Sequence, residues 1–171
     1  MNKKEKAARL CTVTGGLLLT VVILLCVPLT VPRLFGCQIY NVVSGSMEPA
    51  IPMGSIVYVR QTEAKEVKTN EVIAFYSATD SGALITHRVV QNRIVSGEFI
   101  TKGDANEKED LMPVDYDQLA GKVIYSVPVL GSLLSIVVLP AGKAAVACLI
   151  VAAVLLQILA EKLRGYGSSG A

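Results

Sequence analysis

Two uncharged apolar runs bracket this chain and limit what it can fold into. From Leu10 to Pro32 no residue carries a charge. That is about 23 residues, or roughly 34 Å as a helix, against a bilayer hydrocarbon core of about 30 Å. A second uncharged run extends from Ala144 to Ala160. Hydrophobic residues make up 52% of the 171 positions, and the excess is concentrated at the two ends. The pattern predicts a membrane protein with an aqueous middle. Lys3, Lys4, Lys6 and Arg9 precede the first run and Lys162 and Arg164 follow the second, whereas the middle is net acidic. The positive-inside bias then predicts cytoplasmic termini and an extracytoplasmic middle. The net charge of +2 is thereby a topology signal, and nucleic-acid binding has no support.

The expected layout is a cytoplasmic tail over 1–9, a transmembrane helix over 10–32, an extracytoplasmic β-domain over 33–128, an apolar membrane-proximal segment over 129–143, a second transmembrane helix over 144–160 and a cytoplasmic tail over 161–171. A basic start followed by an apolar run also describes a cleavable signal, and Leu34-Phe35-Gly36-Cys37 resembles a lipoprotein processing box. The run exceeds the length of a signal core, however, and Arg33 separates it from the box, so a retained anchor is expected. Cys11, Cys26 and Cys148 fall in the spans and Cys37 alone lies outside. With that placement and a single histidine, neither a disulfide framework nor a metal-ligand cluster is expected.

Between the spans the chain breaks into short β-rich runs: Gln38–Val43, Ser55–Arg60, Glu71–Ser77, Ala83–Val95, Glu98–Lys102 and Lys122–Val127. Turn formers separate them at Pro52-Met53-Gly54, Thr69-Asn70, Asp80-Ser81-Gly82, Ser96-Gly97 and Gly103-Asp104-Ala105-Asn106. Mainly β architecture follows, as a small antiparallel sheet or barrel, closed or nearly closed to protect its edges. Val127–Leu139 is apolar but too short to span a bilayer. It reads either as a buried terminal strand or as an apolar surface dipping into lipid, before Pro140-Ala141-Gly142-Lys143 interrupts it.

Three places carry chemistry. In Ser44-Gly45-Ser46-Met47-Glu48-Pro49 an extended backbone would project both hydroxyls to one side, and Gly45 leaves room for a substrate backbone. One hydroxyl can attack while the other, with the Ser46 N–H, donates to a developing oxyanion. His87 is the only histidine, and imidazole is the side chain whose ordinary pKa suits a base near neutrality. With period two it shares a face with Ile85 and Val89, opposite Thr86 and Arg88. A base needs an orienting acceptor, for which Asp104, Glu107, Glu109 and Asp110 are all chemically eligible. A Ser/Gly turn, a core histidine and a solvated charged loop are the plain structural readings of each. Their coexistence favours catalysis.

The order of an N-terminal span, Ser44-Gly45-Ser46-Met47-Glu48-Pro49, Thr86-His87-Arg88-Val89 and Thr101-Lys102-Gly103-Asp104-Ala105-Asn106 resembles type I signal peptidase, in its endoplasmic-reticulum-type branch. The likeness covers roughly residues 38–130. The other branch uses a lysine base, and no lysine occurs between Lys68 and Lys102. The resemblance implies a small antiparallel β-barrel catalytic domain between membrane helices, with Ser46 as nucleophile, His87 as general base, Asp110 orienting His87, and Ser44 and Asp104 in support. It implies that Ser44, Gly45 and Ile85 contact substrate. The family often shows two asparagines after the first aspartate, and here Ala105 replaces one of them.

The activity so implied is a serine endopeptidase that removes signal peptides from exported preproteins, with no metal or other cofactor. Its place would be the cell membrane or the endoplasmic reticulum membrane. The partners are preproteins and the lipid bilayer, with accessory subunits left open. Two other classes are weighed beside it. A non-catalytic anchored β-domain leaves the three ordered motifs unexplained. A cysteine transpeptidase using Cys37 lacks a cysteine–histidine context. Asp104, following Gly103, is expected to cap backbone N–H groups of its turn.

Overall fold

The computed structural model describes residues 3–78 and 82–168, the side chains of 165–168 excepted. Seven strands follow an N-terminal helix, α1 (Lys3–Leu34): β1 (Cys37–Asn41), β2 (Ile56–Arg60), β3 (Val72–Tyr76), β4 (Leu84–Arg93), β5 (Glu98–Lys102), β6 (Val114–Asp115) and β7 (Leu119–Val127). Two helices complete the chain, α2 (Leu130–Val138) and α3 (Pro140–Ser168). The strands pair antiparallel throughout in one curled sheet, in the order β1-β2-β7-β3-β4-β5-β6. Mainly β architecture flanked by apolar helices is therefore present. The sheet is a half-barrel, ending at five-residue β1 on one side and two-residue β6 on the other. Short edges limit the unpaired backbone offered to other chains.

Alternation along β3 builds the core on both faces of this sheet. Ile73 and Phe75 join Val67, Val89, Phe99 and Val114 on one face. Ala74 points the other way, into a cluster of Met47, Ile51, Val57 and Val59. A strand buried on both sides is the natural centre of such a sheet, and β3 sits there with β7 and β4 as neighbours. Asn92 Nδ2 donates to the carbonyls of Ala64 and Val67 at 2.9 and 2.8 Å, tying the 64–67 turn over the first cluster.

The chain divides into two compact units, one of residues 1–30 and 135–171, the other Val31–Leu134. In the helical unit, Lys3–Leu34 and Pro140–Arg164 are long and apolar enough to cross a membrane. They meet at small residues, the usual way for apolar helices to approach closely. A Cβ on Gly15 would lie 3.0 Å from the Ala153 carbonyl oxygen. Arg164 Nη2 and Gln157 Nε2 donate to the Thr12 hydroxyl and carbonyl at 2.8 and 3.3 Å.

The apolar run after β7 is not a strand, and a bend at Leu139 separates it from the last helix. It forms α2, and Pro140 opens α3 directly, as suits a residue whose missing N–H costs nothing in a first helical turn. Within the sheet unit, Gly131 packs against Asn41 and the 54–55 turn, where a Cβ would lie 2.7 and 2.8 Å from the carbonyl oxygens of Ser55 and Gly54. Ser132 N–H donates to the Gly54 carbonyl at 3.1 Å. Any side chain at 131 would push the start of α2 off the sheet. Asp80 and Ser81 of the expected β3–β4 turn lie outside the described residues.

Candidate active site

The serine segment leaves the sheet immediately after β1. Val42 and the 54–55 turn exchange backbone hydrogen bonds at 2.8 and 2.9 Å, and the chain then bends rather than continuing extended. Met47, 1% exposed, inserts into the second core cluster and anchors the turn. Ile51 N–H donates to the Met47 carbonyl at 2.8 Å and Glu48 N–H to the Gly45 carbonyl at 3.0 Å. The turn brings the Ser44 and Ser46 hydroxyls to 3.4 Å without an extended backbone. A Cβ on Gly45 would make only an ordinary 3.5 Å contact, with the Glu48 carboxyl. The fold itself does not demand glycine there.

His87 is carried by β4 on the face of Val89, as period two requires, and is 8% exposed. Its ring meets Phe75 edge-on with centroids 6.2 Å apart. The imidazole Nδ1 lies 2.6 Å from Asp110 Oδ2. The same oxygen accepts the Thr101 hydroxyl at 2.6 Å, and Asp110 N–H donates to the Thr101 carbonyl at 2.8 Å. Of the four eligible acids, Asp110 is thus the one at the imidazole. With an ionised carboxylate on Nδ1, that nitrogen carries the proton and donates it, and Nε2 is the basic one. Thr101 was not singled out from the sequence. The available signal was its inward position two residues after Phe99, since a threonine buried at 0% exposure needs a partner.

Asp104 takes a different partner from the one expected. Its carboxylate accepts Arg88 Nε at 2.7 Å and Nη2 at 2.6 Å, while Arg88 Nη1 donates to the Asn70 carbonyl at 2.7 Å. The hydrogen bonds to Asp104, and its charge, raise the Arg88 pKa above its ordinary value. The loop behind Asp104 reaches the serine turn. Ala105 N–H donates to the Ser46 carbonyl at 2.9 Å, and Asn106 N–H closes the turn onto Gly103 at 3.0 Å. The contact at 105 is made by backbone, so alanine in place of asparagine keeps it. A Cβ on Gly103 would lie 2.6 Å from the Ser46 carbonyl oxygen. Glu107 and Glu109 are exposed.

Strand pairing brings these groups to one place. β3 pairs with β4 from Leu84 to Arg88, whereas β5 pairs with it only from Arg88 to Arg93. Over Leu84–His87 the second edge of β4 therefore carries no strand among the described residues. Lys102, the last residue of β5, faces Arg88, and the next residue, Gly103, packs on Ser46. The serine turn thus stands where β5 would have continued, beside the bare stretch of β4. A cleft of about 310 Å³ opens there, lined by Ser44, Ser46, Ile85 and Thr86 among others. A second, of about 260 Å³, shares Ile85 and is lined by His87, Asp110, Leu111 and Met112. No cluster of three or more potential metal-ligating side chains occurs among the described residues.

A hydroxyl pair, an imidazole fixed by a carboxylate and an open strand edge are the components of serine-type acyl transfer to a bound peptide. No protein-family model matches the chain. Signal peptidase I W of Bacillus subtilis is 38% identical over 86 residues, 48% of this chain and 44% of that protein. Signal peptidase complex catalytic subunits SEC11 are similar too. That of Verticillium alfalfae is 29% identical over 140 residues, 76% of this chain and 80% of its own length, and that of Ogataea parapolymorpha 31% over 110 residues, 53% and 61%. The chain thus spans less than half of the Bacillus protein and about three fifths of the Ogataea subunit. The similarity is to type I signal peptidases, in their endoplasmic-reticulum-type branch.

Proposed function

We propose that this protein is a membrane-bound serine endopeptidase that removes N-terminal signal peptides from exported preproteins. The observation that carries the reading is the His87–Asp110 contact of 2.6 Å on the strand whose bare edge borders the Ser44–Ser46 turn. In this mechanism the preprotein adds as a strand along Leu84–His87, its main chain taking the vacant edge. Ser44, Gly45 and Ile85 border it. Ser46 Oγ attacks the scissile carbonyl, and His87 takes the hydroxyl proton and passes it to the departing amine. The Ser46 N–H and the Ser44 hydroxyl donate to the oxyanion. Water activated by His87 then releases the acyl group. Asp110 orients the imidazole, and Asp104 supports the loop behind Ser46. No step calls for a metal or another cofactor.

Residues 10–32 and 144–160 are read as the spans, 1–9 and 161–171 as cytoplasmic tails, 33–128 as the extracytoplasmic catalytic part and 129–143 as membrane-proximal. The basic flanks support that sidedness. The membrane is that of the cell or of the endoplasmic reticulum. Sharing one bilayer with the signal peptide raises its effective concentration. The catalytic SEC11 relatives are named as parts of a complex, which is compatible with accessory subunits here. The test is incubation of the detergent-purified chain and its Ser46→Ala variant with secretory precursors, reading cleavage sites by mass spectrometry. Cleavage at signal-peptide ends by the parent alone is expected. Equal cleavage by Ser46→Ala removes the serine-peptidase reading.

A further inference from the structure

The proposed mechanism places the acyl half of a substrate in the serine cleft and makes no use of the second cleft, which is walled by the candidate base. We propose that this cleft, formed by Ile85, His87, Leu111 and Met112, receives the first residues of the mature protein, on the leaving-group side of the cut. The proposal rests on the signal-peptidase reading and assigns residues to the half of the substrate that the serine cleft leaves unaccounted for.

The chemistry sets the position. As the Ser46 Oγ–C bond forms and the C–N bond breaks, the serine proton travels through His87 to the departing nitrogen. That nitrogen must come within hydrogen-bond reach of the imidazole, so the residue bearing it lies against His87. Ser44 and Ser46 line the first cleft, His87 and Asp110 line the second, and Ile85 is common to both. A peptide crossing from one to the other passes its scissile bond between hydroxyl and imidazole.

The walls set the preference. Leu111 and Met112 directly follow Asp110 and are 101% and 58% exposed. Neither belongs to a core cluster, and the segment that carries them is anchored by Asp110 on Thr101 at one end and by buried Val114 at the other. Two exposed apolar side chains beside an imidazole offer contact to an apolar or small uncharged residue. Among the described residues Asp110 is the acid lining this cleft, and it already accepts two hydrogen bonds. An acidic residue just after the cut would meet that carboxylate and be disfavoured.

The test is competitive cleavage of a precursor library differing only at the first two mature positions, by the parent and by a Leu111→Ser, Met112→Ser double variant. A peptide ester with the same acyl half and methanol as leaving group is measured beside it. The parent should prefer apolar over acidic residues, and the double variant should lose about tenfold of that ratio in kcat/KM, while its ester turnover falls far less. An unchanged library profile overturns the proposal, as does an equal fall on ester and precursor, which would mean that the two residues only support Asp110. Either single variant, checked for native secondary structure by circular dichroism, stands in if the double variant does not fold. Ester and precursor cleavage by Ser46→Ala is the separate control: activity there rejects the signal-peptidase reading itself.

Discussion

Arg88 and Asp104 meet as a fork on a fork, guanidinium Nε and Nη2 at 2.7 and 2.6 Å from the two carboxylate oxygens, one residue along β4 from the candidate base. The third guanidinium nitrogen holds the Asn70 carbonyl. One side chain thus joins the turn before β3 to the loop that touches Ser46. Arg88→Lys keeps the charge but not the planar fork. It should cost roughly 1–2 kcal/mol of stability, with precursor cleavage falling alongside, because the Ser46 carbonyl loses a firm backstop. Melting and cleavage measured together check it, and parental values in both would show the fork to be dispensable.

The two aspartates should separate in the same pair of measurements. Asp110→Asn preserves shape but favours the wrong imidazole tautomer, and losses near 10⁴-fold accompany such a change in serine triads. Its melting temperature should stay close to the parent's. Asp104→Asn removes a charge facing Arg88, so melting temperature and activity should fall together. An inactive but fully stable Asp104→Asn, with an active Asp110→Asn, would reverse the assignment.

Thr101→Val replaces a buried hydroxyl by a methyl group of the same shape and strips Asp110 of one donor. A loss of about 1 kcal/mol in stability is expected, with a fall in kcat as the carboxylate becomes free to turn away from Nδ1. Thr101→Ser restores the donor and should recover most of the rate. If valine and serine behave alike, the hydroxyl has no part in positioning Asp110.

Gly103→Ala places a methyl group 2.6 Å from a backbone oxygen, where no flexible side chain can yield. The loop or the serine turn must move. Cleavage should drop by at least an order of magnitude, since small misplacements of reacting atoms cost about 10²-fold. Parental activity in this variant would mean that the two segments part without consequence.

Glu71 accepts the Lys68 N–H and the Lys122 ammonium, each at 3.0 Å. The backbone donor first, and the lysine second, hold its carboxyl below the ordinary carboxylate range. A lowered folded pKa contributes stability above the unfolded value of about 4.3, which is lost as pH falls through the lowered folded value. Glu71→Gln should therefore melt lower than the parent at neutral pH, by less than about 1 kcal/mol for so exposed a pair. The difference should close in acid. A gap that widens on acidification would contradict this assignment.

Strands and the imidazole's face were legible because they depend on period two. Ile85, His87 and Val89 alternate with Thr86 and Arg88, and any sheet that buries the first set turns His87 inward. β6 was not legible, since two residues make no pattern. Nor was the partner of Asp104: a turn aspartate commonly caps its own backbone, and only the pairing of Arg88 with Lys102 brings a guanidinium close enough to take the carboxylate instead. The helix after β7 was not legible for another reason. A mostly apolar run of thirteen residues, Val127–Leu139, is too short for its pattern to separate strand from helix, and the close approach of Gly131 to the 54–55 turn, which seats α2, is a tertiary fact.

The vacant edge of β4 from Leu84 to His87 has a bearing on inhibition. Backbone partners are identical for every amino acid except proline, so the ladder itself cannot tell one extended peptide from another. In the proposed peptidase, tolerance of varied sequences and rejection of wrong ones then reside in different atoms: main chain for the former, the walls around Ser44, Ile85 and Leu111 for the latter. A compound that supplies only strand-shaped amides would compete weakly with all precursors alike. Potency requires filling a cleft as well, and a proline at a ladder position should abolish it.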